Sequence, residues 1–148
     1  ESDGTAQGTQ LVLDLVPGVG SSNPRGLTAF RGRLYFSAAG ALWVSDGTAA
    51  GTTRLAATQH GFYRVGEIGD NLLFGAADAA HGYELWISDG TAAGTAELVD
   101  IYPGSSSSGP RKLLVNSAGT TAFFVASDGR HNTELWKTDG TAAGTRRL

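Results

Sequence analysis

Two short stretches carry Asp, His and Glu at one spacing: Asp78-Ala79-Ala80-His81-Gly82-Tyr83-Glu84 and Asp128-Gly129-Arg130-His131-Asn132-Thr133-Glu134. Carboxylate oxygens and an imidazole nitrogen gathered in one loop could ligate a metal ion or grip a sugar. The competing reading makes each Asp the shaper of its loop, pairs each Glu with an arginine of a neighbouring element (Arg25 or Arg111), and leaves each His as exposed filler. It is the favoured one, because a loop histidine is seldom a ligand. Asp78, Glu84, Asp128 and Glu134 are also the clustered carboxylates from which a glycan-cleaving enzyme could draw a pair at fixed separation. The serine run at residues 105–108 is a polar loop, since no single His and acid are marked out beside it to activate one hydroxyl.

What positions these loops is a repeat. Asp46-Gly47-Thr48-Ala49-Ala50-Gly51-Thr52 returns unchanged from Asp89 and from Asp139, and with one Ala-to-Gln difference from Asp3. The Asp positions 3, 46, 89 and 139 are 43, 43 and 50 residues apart, the period of propeller blades or solenoid units. Each copy holds four runs of four to six residues, β-branched or aromatic and bounded by Gly, Asn, Asp or Pro, at 26–30, 33–37, 41–45 and 52–56 in the first copy. Four short strands per repeat predict an all-β chain of propeller blades, with essentially no helix because the runs are too short and glycine punctuates them. The expected division is 1–25 as an extra fourth strand and loop, then blades at 26–61, 62–111 and 112–148. Trp43, Trp86 and Trp136 fall at one equivalent position in the third strand and read as filler between neighbouring sheets.

Asp3, Asp46, Asp89 and Asp139 read as structural turn residues: the carboxylate accepts the N–H two residues on, and the following Gly supplies positive φ. The second Gly is expected to bend the chain back into the fourth strand. Calcium is the alternative at these turns, but each offers one carboxylate where calcium takes about six to eight oxygens, so no metal or other cofactor is expected.

The stretches Glu84-Leu85-Trp86-Ile87-Ser88-Asp89-Gly90-Thr91 and Glu134-Leu135-Trp136-Lys137-Thr138-Asp139-Gly140-Thr141 resemble the ELWxxDGT repeat family of bacteria. The loops at 17–25 and 103–111 are similar to the one that family carries before the first strand of a repeat. The first copy departs from the pattern, with Ala41 in place of Glu. The resemblance implies a secreted or surface-attached β-propeller and carries over no catalytic residue.

Differences between copies point to a site. The first copy is about five residues shorter between its second and third runs, and the second about five shorter between the preceding fourth run and its own first. Both length changes emerge on one face, where loops of repeat scaffolds carry binding, so a recess is expected where the first and second repeats meet. His60, Tyr63 and Arg64 would line it, beside the Asp78, His81 and Glu84 loop, in a lining compatible with carbohydrate.

Composition closes off other classes. A net charge of -3 with no like-charge run leaves no footprint for nucleic acid, and no stretch approaches the roughly 20 apolar residues of a membrane helix. Zero Cys and a Gly-, Ser-, Thr- and Ala-rich repeat suit an extracellular or cell-surface bacterial protein, and the missing initiator Met points to a processed or excised chain. Three blades do not close a propeller, so the partner is expected to be a second copy giving a six-bladed ring, or the remainder of a longer array. The function read from all this is a non-enzymatic scaffold for adhesion, matrix structure or multivalent binding of glycan or protein, with a glycan-active enzyme as the alternative.

Overall fold

The computed structural model describes residues 1–58 and 63–148, with the backbone alone for residues 63–65. His60 lies outside the described residues, as do the side chains of Tyr63 and Arg64. The chain is all-β, with no helix among the described residues. The first sheet comprises β1 (Arg25–Phe30), β2 (Arg33–Ala38), β3 (Ala41–Ser45) and β4 (Thr53–Ala57). The second comprises β5 (Tyr63–Ile68), β6 (Asn71–Asp78), β7 (Gly82–Ser88) and β8 (Ala96–Val99), and the third β9 (Arg111–Val115), β10 (Ala122–Ala126), β11 (Glu134–Thr138) and β12 (Arg146–Arg147). Each is a four-stranded antiparallel meander in chain order, because every connection within a sheet is a short turn that returns the chain beside the strand it left. Sheets open at Arg25 and Arg111, one residue earlier than the repeat alignment suggests.

The second sheet lies between the other two. Its β6 is buried along nearly its whole length, as a strand covered on both faces must be, whereas β9 and β11 of the third sheet are mostly exposed or half-buried. One apolar cluster joins Leu42, Val44 and Leu55 of the first sheet to Leu72, Phe74 and Trp86 of the second. Another joins Leu85 and Ile101 to Phe124, Ala126, Leu113 and Trp136. Trp86 and the half-buried Trp136 pack in these clusters between sheets, whereas Trp43, also half-buried, belongs to neither. The initial strands β5 and β9 approach closely: a Cβ at Gly66 would stand 2.7 Å from both Leu113 Cδ2 and Val115 Cγ2.

The Asp-Gly-Thr turns fold alike. Thr48, Thr91 and Thr141 donate their N–H groups to Asp46, Asp89 and Asp139 Oδ1 at 2.9, 2.8 and 2.9 Å. Asp3 receives Thr5 N–H in the same way at 2.9 Å. Gly47, Gly90 and Gly140 have φ of 93, 91 and 89°. The second glycine, in the turn that leads into the fourth strand, has a further role. A Cβ at Gly51 or Gly144 would lie 2.0 Å from the Asp46 or Asp139 Oδ1 oxygen, and one at Gly94 would lie 2.1 Å from Asp89 Cγ, so the position is bare because the turn's own carboxylate occupies it. Residues 10–16, where the extra fourth strand of the 1–25 segment was expected, form no strand in the single chain. Strand geometry needs a ladder, and here the Glu1 amino group and Gln10 carbonyl (2.8 Å), with Gln10 N–H to Glu1 O (3.0 Å), close only a loop around the first turn.

Candidate functional site

The loop between β6 and β7 is shaped by Asp78, whose Oδ1 accepts the N–H groups of Ala80 (2.8 Å) and His81 (2.7 Å). The corresponding loop of the third sheet repeats the device: Asp128 Oδ1 accepts from Arg130 N (3.0 Å) and His131 N (2.8 Å). The loop-shaping role assigned to Asp is thus present in both copies. In both the imidazole Nδ1 also turns back on the carboxylate, at 3.1 Å from Asp78 Oδ2 and 2.8 Å from Asp128 Oδ2.

Glutamate does not complete either trio. Glu84 is fully buried and faces the 103–111 loop, where its oxygens accept Ser108 N–H (2.7 Å), Ser108 Oγ–H (2.5 Å) and Ile101 N–H (3.0 Å). Among the described residues no arginine pairs with it; Arg111 donates instead to Thr133 Oγ1 at 3.2 Å. Burial pushes the Glu84 carboxyl up to about 7, against the pull of these three donors. Glu134 is exposed. The reason is the pleat: side chains along a strand alternate in direction, so a Glu three residues beyond a loop His need not share its side.

The third member in the second sheet is Glu97 of β8, paired across the ladder with Trp86. Asp78, His81 and Glu97 bring ligand-type atoms within 4.8 Å of one another. Glu97 Oε2 lies 3.2 Å from His81 Nδ1, an ion-pair contact; the single Nδ1 proton serves Asp78, and Glu97 Oε2 is a buried oxygen without a hydrogen bond. The Asp78 hydrogen bond and then the Glu97 charge raise His81 above its ordinary value, and burial raises Glu97. Burial works to raise Asp78 too, but hydrogen bonds from His81 and Ala80 outweigh it and hold the group low. The equivalents of Glu97 are Arg54 and Arg147, the latter reaching Asp128 Oδ2 at 3.4 Å, so the acidic trio forms in the second sheet and its charge is inverted in the third. That acid-for-arginine change in the fourth run was the signal in the sequence that could have singled Glu97 out.

The trio opens onto a recess of about 740 Å³ where the first and second sheets meet, floored by Gly40 and residues 56–58 on one side and by Trp86 and Glu97 on the other. This is the junction at which the loop lengths predicted one. Two residues of its lining each carry a further polar atom that is buried and without a hydrogen bond. Thr58 is 3 % exposed and its Oγ1 has no hydrogen bond; Trp86 is 6 % exposed and its indole N–H has none. The equivalent indoles are satisfied, Trp43 by Ala38 O (2.9 Å) and Trp136 by Ala126 O (3.2 Å). A buried unpaired donor or acceptor costs about 1–3 kcal/mol, so the recess stores a preference for something that fills it. Beneath its lining lie a donor at Trp86, an acceptor at Glu97 and a hydroxyl at Thr58, each covered until the lining side chains part. A ligand hydroxyl, which donates and accepts at once, meets all three demands. No family model matches the chain, and neither a curated protein nor a solved structure does.

Proposed function

We propose that the chain is a non-enzymatic, extracellular binding scaffold whose recess between the first two sheets seats a hydroxylated ligand, a glycan in the first instance. In this reading its three sheets are blades of a β-propeller of the ELWxxDGT repeat kind, completed to six by a second copy. The observation that carries the binding role is the set of polar atoms without hydrogen bonds in the lining of one opening, Trp86 Nε1, Thr58 Oγ1 and Glu97 Oε2, the last in ion-pair contact with His81, beside the Asp78–His81 pair. Among the described residues the acidic trio occurs in one sheet of the three, so in this reading each chain presents one such seat and avidity comes from the number of chains assembled. The glycan-cleaving alternative loses three of its four carboxylates as recess groups, since Glu84 is engaged by Ser108 and Ile101, and Asp128 and Glu134 belong to the third sheet.

A glycan array read with the labelled chain, followed by calorimetric titration of the best sugar, tests the proposal. Trp86→Phe keeps the ring and removes the N–H, and Glu97→Gln removes the charge; each is expected to weaken binding about tenfold, the worth of one buried hydrogen bond. Sugar binding that neither substitution changes, or turnover of a glycoside by the chain, overturns it.

A further inference from the structure

The junction between the second and third sheets has a latch. Glu84 at the start of the Glu-Leu-Trp segment enters the loop that leads into β9 and takes the N–H and hydroxyl of Ser108 together with Ile101 N–H. Beside it Leu85 is 0 % exposed and shares an apolar cluster with Leu113 of β9.

Both halves of this latch recur, separately, on the two outer sheets. Residues 17–25 repeat 103–111 at Pro17, Gly18, Ser21, Ser22, Pro24 and Arg25. The loops also fold alike, with Ser22 O accepting Ala39 N–H at 2.8 Å as Ser108 O accepts Ser127 N–H at 2.9 Å. Ser22, the counterpart of Ser108, has no side-chain hydrogen bond among the described residues. It lines a mainly apolar groove of about 330 Å³ with Leu11, Leu15, Leu27 and Phe36. Leu27, the counterpart of Leu113, is 63 % exposed. On the far side of the molecule Glu134, which faces Ala126 in the ladder as Glu84 faces Ala76, is exposed, and Leu135 beside it is 48 % exposed.

We propose that the occupant of this groove is a second copy of the chain, docked head to tail: Glu134 of one copy takes the Ser22 hydroxyl and N–H of the other, and Leu135 packs on Leu27. The argument is complementarity of both kinds. A carboxylate without donors and a hydroxyl with backbone N–H groups without an acceptor are left over on opposite faces, each with the leucine that accompanies it at the internal junction. Two copies joined this way make two identical junctions and close on themselves; the contact is heterologous, and closure is what keeps it from running on as a filament. This stands apart from the ligand reading, because neither Ser22 nor Glu134 lines the recess.

Sedimentation velocity on the 148-residue chain without ligand decides the matter. A concentration-dependent dimer is expected. Glu134→Ala, which removes the carboxylate, and Ser22→Glu, which places a like charge in the cradle, are each expected to raise the dissociation constant on the order of 100-fold. Mixing the two variants restores a pair, since the Glu134 of one still meets the Ser22 of the other; a fold-wide defect would not be cured by mixing. Circular dichroism of each variant checks that the sheets persist. A chain monomeric at every concentration, variants that associate like the parent, or a mixture that stays monomeric would overturn the proposal. Loss of sugar binding with dimerisation intact would overturn the recess reading and leave this one standing.

Discussion

Replacing Glu84 by alanine separates two opposed energies at one buried carboxyl. Alanine leaves three donors without an acceptor: Ile101 N–H, Ser108 N–H and Ser108 Oγ–H. The serine hydroxyl can rotate away, but the two amides cannot, and at about 1–3 kcal/mol for each buried orphan the loss is about 4 kcal/mol. Against this stands the cost of holding the charge in an apolar setting. Burial raises the carboxyl from 4.5 to about 7, which corresponds to about 3 kcal/mol between the protonated and ionised forms. The sign follows from proton counting: between pH 4.5 and 7 the folded chain binds the proton that the unfolded chain has released, so the stability Glu84 contributes falls as pH rises through that window. Glu97 and His81 are also raised and tilt the parent's curve the same way, so the informative quantity is the difference between parent and variant. The turn aspartates, held low by their threonine hydroxyl and N–H bonds, lose their contribution only as pH falls below about 4 and stay out of the window. Urea unfolding followed by tryptophan fluorescence at pH 5 and pH 8.5 should therefore show Glu84→Ala costing about 4 kcal/mol at the lower pH and about 1 kcal/mol at the higher. Glu84→Gln, neutral with one acceptor oxygen, should fall between with a similarly flattened pH response. Parallel pH curves for parent and alanine variant, or a larger cost at pH 8.5, would refute the reasoning.

Two further outcomes follow from local geometry. Gly94→Ala should destabilise by about 2 kcal/mol, because its Cβ would land 2.1 Å from Asp89 Cγ and drive the carboxylate off Thr91; urea unfolding measures it, and a neutral result would mean the turn has room. His81 should titrate above the ordinary histidine value in an NMR pH series, and Glu97→Gln should bring it down; an unchanged His81 in that variant would remove Glu97 from the site.

Much of the fold was legible in the sequence because it is written locally. A strand of five residues bounded by glycine or asparagine declares itself without reference to anything distant, and the observed strands of the first sheet begin and end within a residue or so of the apolar runs. The turn is equally local: Asp46, Gly47 and Thr48 satisfy one another across two residues. Residues 10–16 form no strand in the single chain for the converse reason: their composition suits one, but a ladder needs a neighbour.

The site was legible only in part. Loop lengths located the recess, and Asp78 and His81 belong to it, but Glu84 and Glu97 had to be exchanged. Spacing along the chain put Glu84 with His81, whereas the pleat of β7 turns it toward Ser108, 24 residues on. Glu97 arrives beside His81 from the next strand by register, through its pairing with Trp86.

The amino-acid sequence by itself determined the repeat, the all-β class, the strand boundaries and the Asp-Gly-Thr turns, because each depends on neighbours a few residues apart. Only the tertiary structure decided which carboxylate is sealed and which is open, and which tryptophan keeps a free N–H. Those outcomes depend on what the adjoining sheet places opposite each residue, and near-identical segments acquire different chemistry when their surroundings differ.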